Sequence, residues 1–216
     1  DQFVILPVIG RATSRIELGT SIVQTYPRHP VLMAQQAVGL ARVIGGDSAR
    51  FCLGVGVSHR PVIEGTYGLS YDSNAVHLHE YLAVLGGLLR DGKVDHRGDE
   101  YRAATEIRDR PEVPVPVVVA ALAPRSLRSA GELADGTITW CTGPATLASH
   151  IIPTITNAAE QAGRPAPRIV AALPSDALDQ LAGESRVARD HPREEVVLLA
   201  DGDIREPGAH GLRLRL

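Results

Sequence analysis

Five short, mostly apolar runs, at residues 15–23, 50–57, 114–121, 135–141 and 168–174, constrain this chain more than any other feature. Their apolar residues fall on both faces of an extended strand, so neither face suits water. Strands of that kind belong to a parallel sheet covered by helices. The intervals supply the helices. Pro30 opens one in which Met33, Ala37, Leu40, Ala41 and Ile44 fall at helical spacing, with Gly45 and Gly46 closing it. Asp72 or Ser73 caps a second, where Leu78, Tyr81, Leu82, Leu85, Leu88 and Leu89 form one stripe ending at Asp91-Gly92. Pro124 starts a third, through about Leu133. Gly143-Pro144 begins a fourth, to about Ala162, in which Pro153 predicts a kink. The stretch after residue 57 reads as a long loop up to Tyr71. The polar stretch 93–113, where Val94, His96 and Tyr101 alternate, reads as an excursion hairpin without chemistry.

Alternating strands and helices define an α/β fold, either an open Rossmann-type sheet or a (β/α)8 barrel. The one glycine-rich turn after a strand, Gly54-Val55-Gly56-Val57-Ser58-His59, argues against the dinucleotide fingerprint. It has His59 where the third glycine should stand and Arg60-Pro61 where a helix should begin. A barrel is the better reading, and there ligand groups gather at the carboxyl ends of the strands.

The 216 residues suit one sizeable domain. A net charge of −3 provides no broad cationic face for nucleic acid. No stretch of about 18 uncharged apolar residues occurs, which excludes a helical membrane span. Asp1-Gln2-Phe3 lacks the basic start of a signal peptide, and the expected location is cytoplasmic. Cys52 and Cys141 match neither a disulfide framework nor a zinc spacing. His77 and His79 lie on different sides of one helix and so share no metal. Gly56-Val57-Ser58-His59-Arg60 lacks the closing glycine of a serine-hydrolase elbow.

The strand ends carry the candidate site: Thr20, Ser21 and Ile22; residues 54–60; Ala120, Ala121 and Leu122; then Thr139, Trp140 and onward to Gly143. Small residues there let backbone N–H groups approach a ligand, or serve strand–helix packing. Pro124 at a helix start leaves N–H groups of the first turn free for an anion. His59 beside Arg60 fits a proton donor next to a cation, since histidine titrates near neutrality; a merely solvated loop histidine has the same sequence.

Several segments in order (15–20, 25–30, 53–59 with Glu64-Gly65, 68–72 and 130–136) resemble the bacterial luciferase-like monooxygenase superfamily. Within it they are similar to the deazaflavin-dependent (coenzyme F-420) oxidoreductases of actinobacteria. The resemblance runs from Asp1 to Pro174 and implies a (β/α)8 TIM barrel with the deazaflavin across the carboxyl ends of its strands. By that resemblance Thr20, Ser21 and Ile22 support the ring, often through a non-proline cis peptide. Gly54, Gly56, Ser58 and His59 line the coenzyme, with His59 the catalytic candidate. Ala120, Ala121 and Leu122 match a phosphate-holding loop, although alanines narrow the approach that glycine allows. Thr139 and Trp140 end a strand on the same side, and Arg28, Arg60 and Arg125 are available to an acidic coenzyme tail.

The family begins about two βα units earlier than this chain, so the barrel is expected to be incomplete: 1–174 a partial barrel, 175–216 an unassigned tail. An open barrel has apolar sheet edges, of which residues 195–200 can cover one, and exposed helix faces. The chain is therefore expected to be a homo-oligomer or to aggregate. Three functions follow: deazaflavin-dependent hydride transfer with a small-molecule substrate, an FMN- and dioxygen-dependent monooxygenase, or a catalytically silent chain.

Overall fold

A computed structural model describes residues 1–45, 50–108, 110–174, 195–197, 199–201 and 213–215. Asp1 caps the first helix, α1 (Gln2–Ala12), its side chain accepting from the Phe3 N–H at 2.9 Å. Sequence reading placed no element there. This helix lies against α2 (Pro30–Gly45), and Gly10 makes the contact possible: a Cβ at that position would stand 2.3 Å from Ile44 Cγ2.

The first apolar run forms two short strands, β1 (Leu18–Gly19) and β2 (Val23–Gln24), beside the two halves of β3 (Phe51–Gly56). Gly19 faces Cys52 and Val23 faces Val55. The first run therefore has one residue more than β3 over the same length, which is the count of a β-bulge. The expected loop after residue 57 holds a helix, α3 (Arg60–Tyr67). Pro61 is no obstacle in its first turn, where the missing N–H has no helical partner to lose, and Gly68 at φ 65 ends it. Arg60-Pro61 therefore does not count against a helix. What excludes the open dinucleotide fold is the strand order given below.

Helix α4 (Asn74–Gly86) buries the predicted leucine stripe and runs into a π turn, Gly87–Asp91. The excursion hairpin follows as β4 (Lys93–Arg97) and β5 (Arg102–Glu106). Then come β6 (Val117–Ala120), α5 (Pro124–Leu133), β7 (Gly136–Trp140), α6 (Pro144–Thr146), α7 (Ile152–Gln161) and β8 (Arg168–Pro174). A π turn, Leu147–Ile151, joins α6 to α7 just before Pro153, where the ring nitrogen cannot donate. The helix expected over this stretch is thus divided near the proline by a change of hydrogen-bond pattern. Three short strands complete the described residues: β9 (Glu195–Val197), β10 (Leu199–Asp201) and β11 (Arg213–Arg215).

The main sheet is parallel and keeps chain order, β1 and β2, then β3, β6, β7, β8 and β10. A doubly wound sheet reverses its order at a switch point, whereas a barrel does not. Among the described residues, helices cover one face. Phe51, Leu53, Val55, Val117, Val119, Ile169 and Ala171 pack against them, while Cys52, Val118, Ile138, Val170 and Ala172 form a separate cluster on the other face. The sheet is also strongly curled: Arg168 at the start of β8 grips both carboxylate oxygens of Glu17, just before β1, at 2.6 and 2.9 Å. Three strands lie between, and a flat sheet would hold the two ends roughly 19 Å apart at about 4.8 Å per strand. The fold is that of an incomplete (β/α) barrel. As anticipated, β10 covers the outer edge of β8 by pairing with it; the rest of the predicted tail lies largely outside the described residues.

Candidate active site

At the carboxyl end of the sheet the strand interruption is closed by one hydroxyl. Thr20 Oγ1 donates to the Gly54 carbonyl at 2.7 Å and accepts from the Gly54 N–H at 2.8 Å. The peptide between Ser21 and Ile22 is cis. No side chain other than hydrogen fits at Gly54, whose Cβ would stand 1.9 Å from the Thr20 carbonyl oxygen. At Gly56 a Cβ would meet Ile22 Cδ1 at 2.9 Å and the Ala120 Cβ at 3.0 Å. Thr20, Ile22, Gly54, Gly56 and Ala120 are thus brought together as a low shelf on the face that helices do not cover.

Ser58 follows at φ 63, the left-handed region, and is held from two sides. Gln24 Nε2 donates to its Oγ at 3.1 Å, and the Tyr71 hydroxyl donates to its carbonyl at 2.8 Å. His59 is exposed at the start of α3, where its carbonyl accepts from Val62 and Ile63; its imidazole makes no hydrogen bond or ion pair among the described residues. Arg60 lies over the Tyr71 ring and pairs with Glu64 and Asp72, and Arg28 pairs with Asp1. Of the three predicted arginines only Arg125 stands exposed without such a pairing among the described residues, so Arg28 and Arg60 are already occupied.

Ala121 is buried, Leu122 is exposed, and the Leu122 carbonyl accepts from His150 Nε2 at 2.9 Å. The next helix, α5, begins with no side-chain cap. On β7, strand alternation separates the two predicted residues. Trp140 is 54% exposed and shares a parity with Ile138 of the uncovered face. Thr139 is buried on the helix side, its hydroxyl without a hydrogen-bond partner among the described residues. Ser21 is exposed beside the shelf.

Behind the shelf lies a group that sequence reading missed. Tyr26 stacks on His77 with ring centroids 3.8 Å apart and planes at 6°, and on Tyr71 at 5.5 Å. His77 is buried between two hydroxyls, Thr25 Oγ1 at 2.8 Å from Nε2 and Tyr101 at 3.3 Å from Nδ1. Burial pushes its pKa down to about 4, against a smaller opposing pull from Glu80, so the ring is neutral at pH 7. Burial, with Tyr71 and Glu100 nearby, pushes Tyr26 up to about 12. Glu80 anchors the hairpin tip by accepting the Asp99, Glu100 and Tyr101 N–H groups at 2.8–2.9 Å. One signal was legible: all five tyrosines fall between residues 26 and 101.

Residues 1–177 match the luciferase-like monooxygenase family. The F420-dependent glucose-6-phosphate dehydrogenase of Nakamurella multipartita is 32% identical over 198 residues, 89% of this chain and 54% of that protein. The coenzyme F420-dependent tetrahydromethanopterin reductase of Methanopyrus kandleri has a similar structure, with a TM-score of 0.67 at 24% identity, covering 79% of this chain and 53% of that one. So does the oxygenating constituent of 3,6-diketocamphane monooxygenase of Pseudomonas putida in complex with FMN, with a TM-score of 0.62 at 17% identity over 80% of this chain and 52% of that one. The chain spans about half the length of these relatives. Among the described residues no helix is long and apolar enough to cross a membrane.

Proposed function

Because the chain belongs to the luciferase-like monooxygenase family, we propose that it forms the coenzyme-binding part of an oxidoreductase that moves a hydride between the deazaflavin F420 and a small organic substrate. The observation that carries this reading is the glycine-floored shelf with one exposed imidazole at its margin. Hydrogen at Gly54 and Gly56 lets the Thr20 carbonyl, Ile22 and Ala120 close down on β3, so that no side chain stands up there and Ile22 and Ala120 offer a low apolar surface against which a flat ring can rest. The residues therefore fit a planar, polycyclic group.

When bound, the deazaflavin supplies the hydride chemistry. Ile22, Gly54, Gly56 and Ala120 orient its ring, Ser58 fixes the loop beside it, and the backbone of residues 120–122 with the uncapped start of α5 receives a phosphate. Ser21 and Trp140 border the same side. Thr139 contributes backbone only, because its side chain is turned to the helices. His59 exchanges the proton that accompanies hydride transfer at the substrate. Residues 1–174 hold every group in this account.

Trp140 is the chain's one tryptophan and stands at the site, so its fluorescence reports binding. Titration with deazaflavin and, separately, with FMN should show tighter binding of the deazaflavin. Tighter binding of FMN would replace this reading with a monooxygenase that uses reduced FMN and dioxygen. Binding of neither would leave a catalytically silent chain.

A further inference from the structure

The buried aromatic group behind the shelf touches the coenzyme loop at two separate points. At one end the Thr25 hydroxyl meets His77 Nε2 at 2.8 Å while the Thr25 N–H donates to the Gly56 carbonyl at 3.0 Å. At the other, Tyr26 lies on His77 and also on Tyr71, whose hydroxyl donates to the Ser58 carbonyl at 2.8 Å. A core position of this kind is filled at least cost by an apolar ring, since burying imidazole sacrifices its hydration. Here both ring nitrogens are matched to hydroxyls. A neutral imidazole has one N–H and one bare nitrogen, and the hydroxyls of Thr25 and Tyr101 can each donate or accept, so the pair is satisfied in either tautomer.

We propose that His77 is a positioning residue for the coenzyme loop: clamped by Thr25 and Tyr101, it fixes the Tyr26–Tyr71 stack and thereby holds Ser58 in its left-handed conformation next to Gly56. The geometry is that of the chain alone; its consequence for binding rests on the coenzyme reading above. Ser58 needs such a hold. A non-glycine residue at φ 63 lies in the left-handed region that its Cβ disfavours, and the Tyr71 and Gln24 hydrogen bonds oppose its relaxation.

The test has two parts. In the coenzyme-free chain, the Ser58 carbonyl carbon and His59 amide resonances are compared among wild type, Tyr71→Phe, which removes only the bond to Ser58, and His77→Phe, which keeps a ring for stacking and removes both hydroxyl contacts. The proposal expects both substitutions to move the same resonances, and His77→Gln, able to donate and accept, to restore them in part. Should His77→Phe fail to fold, His77→Gln and Tyr71→Phe alone carry the comparison. Unchanged Ser58 and His59 resonances in a folded His77 variant would overturn the proposal. In the second part, deazaflavin affinity is measured in a double-mutant cycle. Each single substitution should weaken binding about fivefold and the double about fivefold rather than the product, because both break one chain of contacts. Independent, multiplying effects count against it. Absence of deazaflavin binding by the wild-type chain would remove the coenzyme reading while the resonance comparison still decides the positioning role.

Discussion

Thr20 and Gly54 are joined twice through one atom: the Thr20 hydroxyl gives its proton to the Gly54 carbonyl and takes the Gly54 N–H. The two backbone groups on β3 that the interrupted first strand leaves unpaired are thereby satisfied by a side chain. Thr20→Val keeps the shape and leaves both groups buried without partners, at about 1–3 kcal/mol for each. We expect it to lower unfolding free energy by about 2–4 kcal/mol in urea, and Thr20→Ser to retain most of it. Equal stability of Thr20→Val and wild type would show that the strands are held otherwise.

The His59 imidazole has no hydrogen bond or ion pair among the described residues, and alanine keeps the backbone contacts, so His59→Ala should leave the melting temperature unchanged. If its imidazole carries the proton, turnover in an active protein containing this chain should fall by about 10² to 10⁴ with little change in coenzyme affinity. Unchanged turnover would return His59 to an ordinary solvated loop residue.

Burial of neutral His77 makes stability depend on pH with a defined sign. Its pKa is about 4 when folded against 6.5 unfolded. Between these values the unfolded chain takes up a proton that the folded chain refuses, so stability falls as pH drops from about 6.5 to about 4 and this contribution is flat below that. The full effect is about 3 kcal/mol. Urea unfolding across that range should show the slope in wild type and a shallower one in His77→Gln; identical slopes would mean that His77 titrates normally.

The two thiols should differ in reactivity. Cys52 is buried on the inner face of β3, and desolvation pushes it up to about 12. Cys141 is exposed at φ 51, directly after Trp140. A thiol-alkylating reagent at pH 8 should label Cys141 alone in the folded chain, as mass spectrometry reads it, and bound deazaflavin should slow that labelling. Modification of Cys52 at a comparable rate would contradict the burial of the inner face.

The sequence by itself determined the strands of the parallel sheet, apart from the split of the first, and the long helices between them, because each of these follows from residues close together in the chain. Apolar runs and helical stripes report which side of an element must leave water, and Pro, Gly and Asp-Gly mark where elements stop. Tertiary structure alone decided what those elements do to one another. Helix α1 owes its place to the fit of Gly10 against Ile44, and the split of the first strand to a register difference of one residue against β3. The pairing of Arg168 with Glu17 spans 151 positions and is set by the curl of the sheet. The same limit hid the aromatic group: His77 meets Thr25 across 52 positions and Tyr101 across 24, and a helix stripe shows that His77 is buried without showing which hydroxyls receive it. Local sequence fixes the face a side chain presents, while the partner on that face is chosen by the packing of distant segments.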